Sequence, residues 1–339
     1  MHFSKLVSQL TVLTAVAAWA VVVSSDGLLP ATDHTTGTAP LEWAESARLA
    51  ERSLLLDVAS AGERLIAVGE RGHVLLSEDG GTTWTQVPAP TRSLLTAVVM
   101  VDEIHGWIVG HDAVILYSAD GGRNWTRQFF APGWEAPLFD VWFEDTDHGL
   151  AVGAYGLVLE THDGGRSWIR RSIDENEPHF YAMTNAPDET LYLVGEFGAA
   201  FLSRDRGQTW VALNSPYKGS FFGALALSDG ALVAFGLRGN LYRSENSGLY
   251  WRQVETGTTA SLMSGLELTD GTIVIVGLSR SLLVSRDGGN TFTPTRHTTR
   301  QGLAAVTELG HGRLLAVGEA GLTRINTLSG SHAKTKSVP

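Results

Sequence analysis

The chain has 339 residues, a net charge of −11 and no cysteine. The acidic balance argues against a general nucleic-acid binder, since phosphate contacts need clustered cations. The missing cysteines exclude disulfides, thiolate chemistry, cysteine-ligated metals and a lipoprotein anchor. With 43% hydrophobic residues the chain can fill a large core, and its 38 glycines suit many tight turns rather than long helices.

In chain order, residues 6–23 come first, an apolar run behind His2 and Lys5 with no acidic residue before Asp26. Residues 1–24 therefore read as an export signal, with Ala18-Trp19-Ala20 as a small-x-small cleavage site, or as an uncleaved membrane anchor. Residues 25–38, rich in Thr, Pro and Gly, read as a flexible tether. Either reading places the domain outside the cytoplasm.

From residue 39 to 327 one pattern recurs. Short apolar runs end at Gly69, Gly110, Gly153, Gly195, Gly236, Gly277 and Gly318, spaced 41, 43, 42, 41, 41 and 41 residues apart. Six of them lead into a Ser/Thr-x-Asp-Gly-Gly-x-x-Trp turn, at Asp79 and Trp84, Asp120 and Trp125, Asp163 and Trp168, Asp205 and Trp210, a worn Asn246 and Trp251, and Asp287 and Phe292. A fixed period in this range marks an array of small sheets. The unit at 94–128 predicts strands at 94–99, 107–110, 114–118 and 125–128, with a hairpin at Asp120-Gly-Gly, which is one propeller blade.

The predicted fold is thus all-β, a seven-bladed propeller of four-stranded antiparallel blades. The repeat at 303–325 lacks its turn, because Leu328 stands where the aspartate belongs. Trp43 lies 41 residues before Trp84, so residues 41–45 are expected to supply the missing fourth strand and close the ring. Residues 328–339 read as a disordered tail.

In each turn the aspartate is expected to accept backbone N–H groups two residues on, glycine to supply positive φ, and tryptophan to fold back over the hairpin. This is the Asp-box. One carboxylate per turn offers too few oxygens for calcium, so these aspartates and tryptophans read as structural. His105, His148 and His311 recur in the turn between first and second strands of separate blades, a poor ligand set read as turn caps. Neither a metal nor a cofactor is expected, and no catalytic motif of the His-Glu-x-x-His, Gly-x-Ser-x-Gly or phosphate-loop kind occurs.

Two surfaces are candidates for partner binding. Loops between second and third strands, and those linking blades, gather on one face and carry Trp134, Phe139, Phe180, Tyr181, Tyr217, Phe221 and Phe222, with Arg71, Arg238 and Arg280 nearby. The outer rim carries Arg127, Arg166, Arg170, Arg171, Arg204 and Arg206, with Arg123. The plainer readings are aromatics that cap the core between blades and charges that guard a sheet edge.

Asp102-x-x-His-Gly-Trp107, followed by Val-Gly-x-x-Gly and Ser-x-Asp-Gly-Gly-x-Thr-Trp, resembles the photosystem II stability/assembly factor family over about residues 41–325. The resemblance implies a seven-bladed propeller in a thylakoid lumen or periplasm, holding an early photosystem II reaction-centre protein through an arginine-rich patch. The expectation is an exported, monomeric, non-catalytic scaffold for a membrane protein complex: a photosystem II subunit in a phototrophic host, an envelope transporter otherwise. The alternative is a sialidase-like glycoside hydrolase using Tyr155, Glu70, Glu196 and Glu319, although sialidases have six blades and an Arg-Ile-Pro motif that this chain lacks.

Overall fold

The computed structural model describes residues 40–295, 301–310 and 312–325. Within them, strands form seven antiparallel sheets in chain order, blades 1 to 7, at 55–87, 95–129, 138–171, 180–212, 221–253, 262–294 and 303–325. Each blade's first strand packs on the first strand of the next, and that of blade 7 packs on that of blade 1. The ring is closed.

The core is divided among the seams. Seven buried clusters each draw from two neighbouring blades, and the closing one joins Ala305, Leu315 and Val317 to Leu55, Val58 and Leu65. Second strands such as Leu191–Gly195 are buried at every position, because neighbouring blades cover both faces. That is why they read as unbroken apolar runs. The fourth strand Ile169–Arg171 is exposed throughout. Among the described residues no helix is long and apolar enough to cross a membrane. The predicted leader, tether and tail, together with His311, lie outside the described residues.

The period glycines have a steric cause. Each ends a second strand where the first strand bulges, and a Cβ on Gly153 would meet the Pro137 carbonyl oxygen at 2.1 Å. On Gly195 it would meet the His179 oxygen at 2.3 Å, and the other five glycines repeat the clash. The next residue donates its N–H to that same carbonyl, Ala154 to Pro137 and Glu196 to His179, each at 2.9 Å. A crossing this close leaves no room for a side chain.

The repeated turn is built differently from the expectation in one respect. Asp79 accepts from the N–H of Thr83 at 2.8 Å and its hydroxyl at 2.7 Å, four residues on rather than two. Two successive glycines at φ 65 and 78 curl the loop so that the fourth N–H faces the carboxylate. Ser77 Oγ meanwhile accepts from Gly81 N–H at 2.8 Å and donates to Asp79 at 2.9 Å. The same bonds recur at Asp120, Asp163, Asp205 and Asp287. The indole N–H groups of Trp84 and Trp125 donate back to Gly81 and Gly122, at 3.0 Å each.

These bonds depress the carboxylates. The Thr83 N–H leads in holding Asp79 at about 2, and the Thr209 hydroxyl leads in holding Asp205 at about 2. A folded pKa below the unfolded 3.8 contributes stability above that value, lost only as pH falls through about 2. The turns therefore stay formed in mild acid.

The closure of blade 7 corrects the strand expected at 41–45. Residues 40–47 form no strand, and the described part of blade 7 has three strands. Trp43 has no aspartate turn ahead of it to fold its ring inward, and it is half exposed. The segment instead clasps the outer edge of blade 1. Ala44 N–H donates to Ala89 O, Gln86 bonds Glu45 O and Ala47 N–H, and Arg92 pairs with Glu45 at 3.0 Å. Just beyond, the Glu51 carbonyl packs on Gly321 as Thr91 packs on Gly72 and Thr258 on Gly239. The N-terminal segment thus replaces an inter-blade link rather than a strand. Across the seam, the Arg324 guanidinium donates to Gly81 O, joining positions 243 apart in sequence.

Candidate partner-binding face

In blades of this strand order, turns between first and second strands share one end with turns between third and fourth. Turns between second and third strands, and the links between blades, lie at the other end. The two sets of candidates therefore separate. Arg123, Arg166, Arg204 and Arg206 sit in the aspartate turns at one end, and Arg127, Arg170 and Arg171 on fourth strands at the outer edge. The aromatic candidates occupy the opposite face or the core behind it.

Most of the arginines answer to neighbours. Arg206 pairs with Glu144 at 2.8 Å and Glu189 at 3.4 Å, while Arg171 pairs with Glu160 and Arg123 with Glu78. Arg166 donates to the Asp163 carbonyl at 3.0 Å, and Arg127 lies over the Phe130 ring at 4.5 Å. Arg170 and Arg204 are exposed. These contacts fix turns and edges.

The aromatic candidates divide by strand alternation. Phe180 and Phe221 are fully buried in the seams, where no partner reaches without separating blades. Their neighbours Tyr181 and Phe222 point into a central channel of about 340 Å³ and join Phe139 in an aromatic arc, with centroids 5.3 and 5.1 Å apart. Tyr217 donates its hydroxyl to Leu237 O at 3.0 Å, and Trp134 leans on Phe129. Both are half-buried supports.

Tyr155 (41% exposed) and Phe197 (69%) are exposed aromatics on this face, on the turns of blades 3 and 4, and Trp43 (49%) is a third, at the link after blade 1. Tyr155 and Phe197 each sit in the turn after a period glycine, at φ 55 and 57, the left-handed position that Arg71 and Arg238 hold in blades 1 and 5. A residue forced left-handed there projects its side chain outward. Beneath Tyr155, His179 Nδ1 accepts the Tyr155 N–H at 2.8 Å, and burial pushes the imidazole below its usual range. Burial also pushes the Tyr181 phenol up, helped by Glu196. Neither group is ionised near neutrality, and exposed arginines at Arg71, Arg238 and Arg280 share the face around the arc.

A family model described as Photosynthesis system II assembly factor YCF48 matches residues 37–132 and 132–272. The chain belongs to that family. It is 39% identical over 132 residues to the photosystem II assembly protein Ycf48 of Synechococcus, covering 38% of this chain and 40% of that protein. It is 34% identical over 82 residues to the chloroplastic photosystem II stability/assembly factor HCF136 of Arabidopsis thaliana, covering 22% of this chain and 20% of that one. These sequence matches thus span less than half of either relative. A solved structure of "YCF48 bound to D1 peptide" superposes with TM-score 0.68 at 19% identity, over 88% of this chain and all of that one. At that identity the likeness speaks for the fold.

In this family member the channel below the arc holds two carboxylates. Asp57 accepts from Val58 N–H and, across the seam, from Val98 N–H, each at 2.8 Å. Asp140 does the same with Val141 at 2.8 Å and Met183 at 2.7 Å. Burial pushes Asp57 up to about 6, and it pushes Asp140 up to about 7, with the Asp57 charge adding to the second. A carboxyl raised in the folded state stabilises least when ionised, so its contribution falls as pH rises from 3.8 through about 7. Melting temperature is expected to decline between pH 5 and pH 8, and Asp140→Asn to flatten that decline, corresponding to roughly 1–2 kcal/mol at pH 8. Thermal scans across that range check it; parallel wild-type and variant profiles would refute the assignment.

Proposed function

We propose that this propeller is an exported, non-catalytic scaffold that holds a segment of a membrane protein on its channel-mouth face. Tyr155 and Phe197 anchor the segment, Arg71, Arg238 and Arg280 engage its acidic or carbonyl groups, and Tyr181, Phe222 and Trp134 support it from behind. The observation that carries the reading is Phe197, a large aromatic held 69% exposed on a rigid turn beside a second one. Rigid aromatics flanked by arginine are the residue types that dominate binding energy. Family membership, and the D1 peptide bound by YCF48 in the related structure, make a photosystem II subunit the first partner to try, with an envelope transporter as the counterpart in a host without photosynthesis. The apolar run at 6–23 supports export to a periplasm or lumen.

The hydrolase alternative draws little support. Glu70 accepts the Leu54 N–H at 3.4 Å and Glu319 the Gly302 N–H at 3.0 Å, so each is occupied in bracing its own blade. Glu196 is buried against His179 on blade 4.

Binding of a fluorescent D1 peptide, followed by anisotropy, tests the proposal. Phe197→Ala is expected to weaken binding roughly tenfold or more, corresponding to over about 1 kcal/mol, with unchanged melting temperature. Equal affinity for wild type and a Tyr155→Ala/Phe197→Ala variant would reject this face. Turnover of a fluorogenic glycoside would reject the non-catalytic reading.

A further inference from the structure

Blade 3 carries a side-chain cluster at the end opposite the proposed binding face. Glu160 on the third strand is 1% exposed, and its Oε1 faces two imidazole nitrogens: His148 Nε2 at 3.4 Å and His162 Nε2 at 3.3 Å. His148 comes from the turn between first and second strands. His162 is the variable residue of the aspartate turn, between Thr161 and Asp163. The two rings stack at 4.8 Å and 7°.

From this arrangement we infer a divalent transition-metal site, of the zinc(II) class, held by His148 Nε2, His162 Nε2 and Glu160 Oε1. A tetrahedral ion with N and O bonds of about 2.0–2.1 Å sets its donors about 3.3–3.4 Å apart, which is the spacing of both nitrogens from Oε1. All three donor atoms lie within 4.8 Å of one another, and His162, 57% exposed, is placed to close the remaining gap.

The surroundings point the same way. Glu144 Oε2 lies 3.2 Å from His148 Nδ1, and Arg206 fixes Glu144 at 2.8 Å. A carboxylate behind the distal ring nitrogen selects the tautomer with a proton on Nδ1 and a lone pair on Nε2. That lone pair then confronts a carboxylate oxygen, acceptor against acceptor, and a cation between them resolves the conflict. Arg171 occupies the other oxygen of Glu160, leaving Oε1 for the ion.

No thiolate is available, and imidazole and carboxylate donors favour zinc, copper, nickel or cobalt over calcium or magnesium. Three protein ligands leave a coordination position open beside exposed His162. Among the described residues the other blades lack the set. In blade 2, His105 has the same turn position but faces Asp102, with Tyr117 and Ala119 where Glu160 and His162 would stand.

Titration of the metal-stripped full chain with zinc(II), by calorimetry and by imidazole NMR, tests the site. One equivalent is expected to bind and to shift the His148 and His162 ring signals, while those of His105 stay fixed. Glu144→Gln should weaken binding roughly 10–100-fold, and His162→Ala at least as much. His105→Ala should leave it unchanged. With cobalt(II), wild type should give a four-coordinate visible spectrum without thiolate bands, absent in His162→Ala. Unmoved ring signals, or equal zinc affinity in wild type and His162→Ala, would overturn the site. The ring signals are read on wild type, so that result stands whether or not a variant folds.

Discussion

Gly153→Ala is expected to lower folding stability by roughly 3 kcal/mol or more, among the largest single-residue effects in the chain. The added methyl would stand 2.1 Å from the Pro137 oxygen and 2.8 Å from the Leu138 Cα, both backbone atoms. A flexible side chain could swing aside; these atoms cannot move without dragging the first strand of blade 3 off its neighbours. That strand lines the channel and packs on both adjoining blades, so the strain spreads to two seams. For a domain of this size the loss corresponds to a fall in melting temperature of about 6–12 °C. Gly230→Ala is the control. Gly230 has φ +84, and a methyl there would have nothing within 4 Å, so only left-handed strain of about 1 kcal/mol applies. Comparable losses at the two sites in urea denaturation would show that backbone conformation, not the crossing, makes the period glycine necessary.

That crossing explains why so much of the fold is legible in the amino-acid sequence. The glycine and the apolar second strand are each required once per blade, and the Asp-box turn recurs in six of the seven repeats, so the period counts blades directly, and the strand predicted at 114–118 is found at Ile115–Ala119. What repeats is legible because physics demands it blade after blade. The ring's closure happens once, and spacing alone misplaces it. Trp43 has the right distance to Trp84 but none of the turn that seats an indole, while Glu51 supplies the needed contact on Gly321 with a backbone carbonyl, which any residue has.

The candidate site is less legible for a related reason. Phe180-Tyr181 and Phe221-Phe222 are adjacent in sequence, yet alternation along a strand sends the first of each pair into the seam and the second to the channel. Composition places aromatics in a neighbourhood without saying which way they point. Phe197 escapes a reading by aromatic clusters although the sequence carries a signal for it. It is the third residue after Val194, inside a Gly-x-x-Gly turn whose geometry expels that side chain. His162 hides in a variable turn position, and only the strand pairing that brings Glu160 beside the His148 turn gives it company.

Trp107→Ala is expected to cost about 3–5 kcal/mol. Trp107 is fully buried on the second strand of blade 2, and its ring stacks on Phe143 of blade 3 at 3.6 Å and 12°. Its indole N–H donates to Gln128 at 3.1 Å, and Gln128 donates on to Gly164 at 2.8 Å, inside the aspartate turn of blade 3. One side chain therefore fills the seam and supports a hydrogen-bonded tie across it. Two substitutions separate these roles. Trp107→Phe keeps most of the volume but leaves Gln128 without its donor, for a loss of about 1 kcal/mol. Trp107→Leu restores the residue found at the equivalent Leu150 of blade 3, yet it leaves a void, because the ring facing it in this seam is Phe143. Its loss should lie between those of the other two. Urea midpoints at constant slope measure all three. A Trp107→Phe variant as damaged as Trp107→Ala would mean that the tie through Gln128, rather than the stacked ring, holds blades 2 and 3 together.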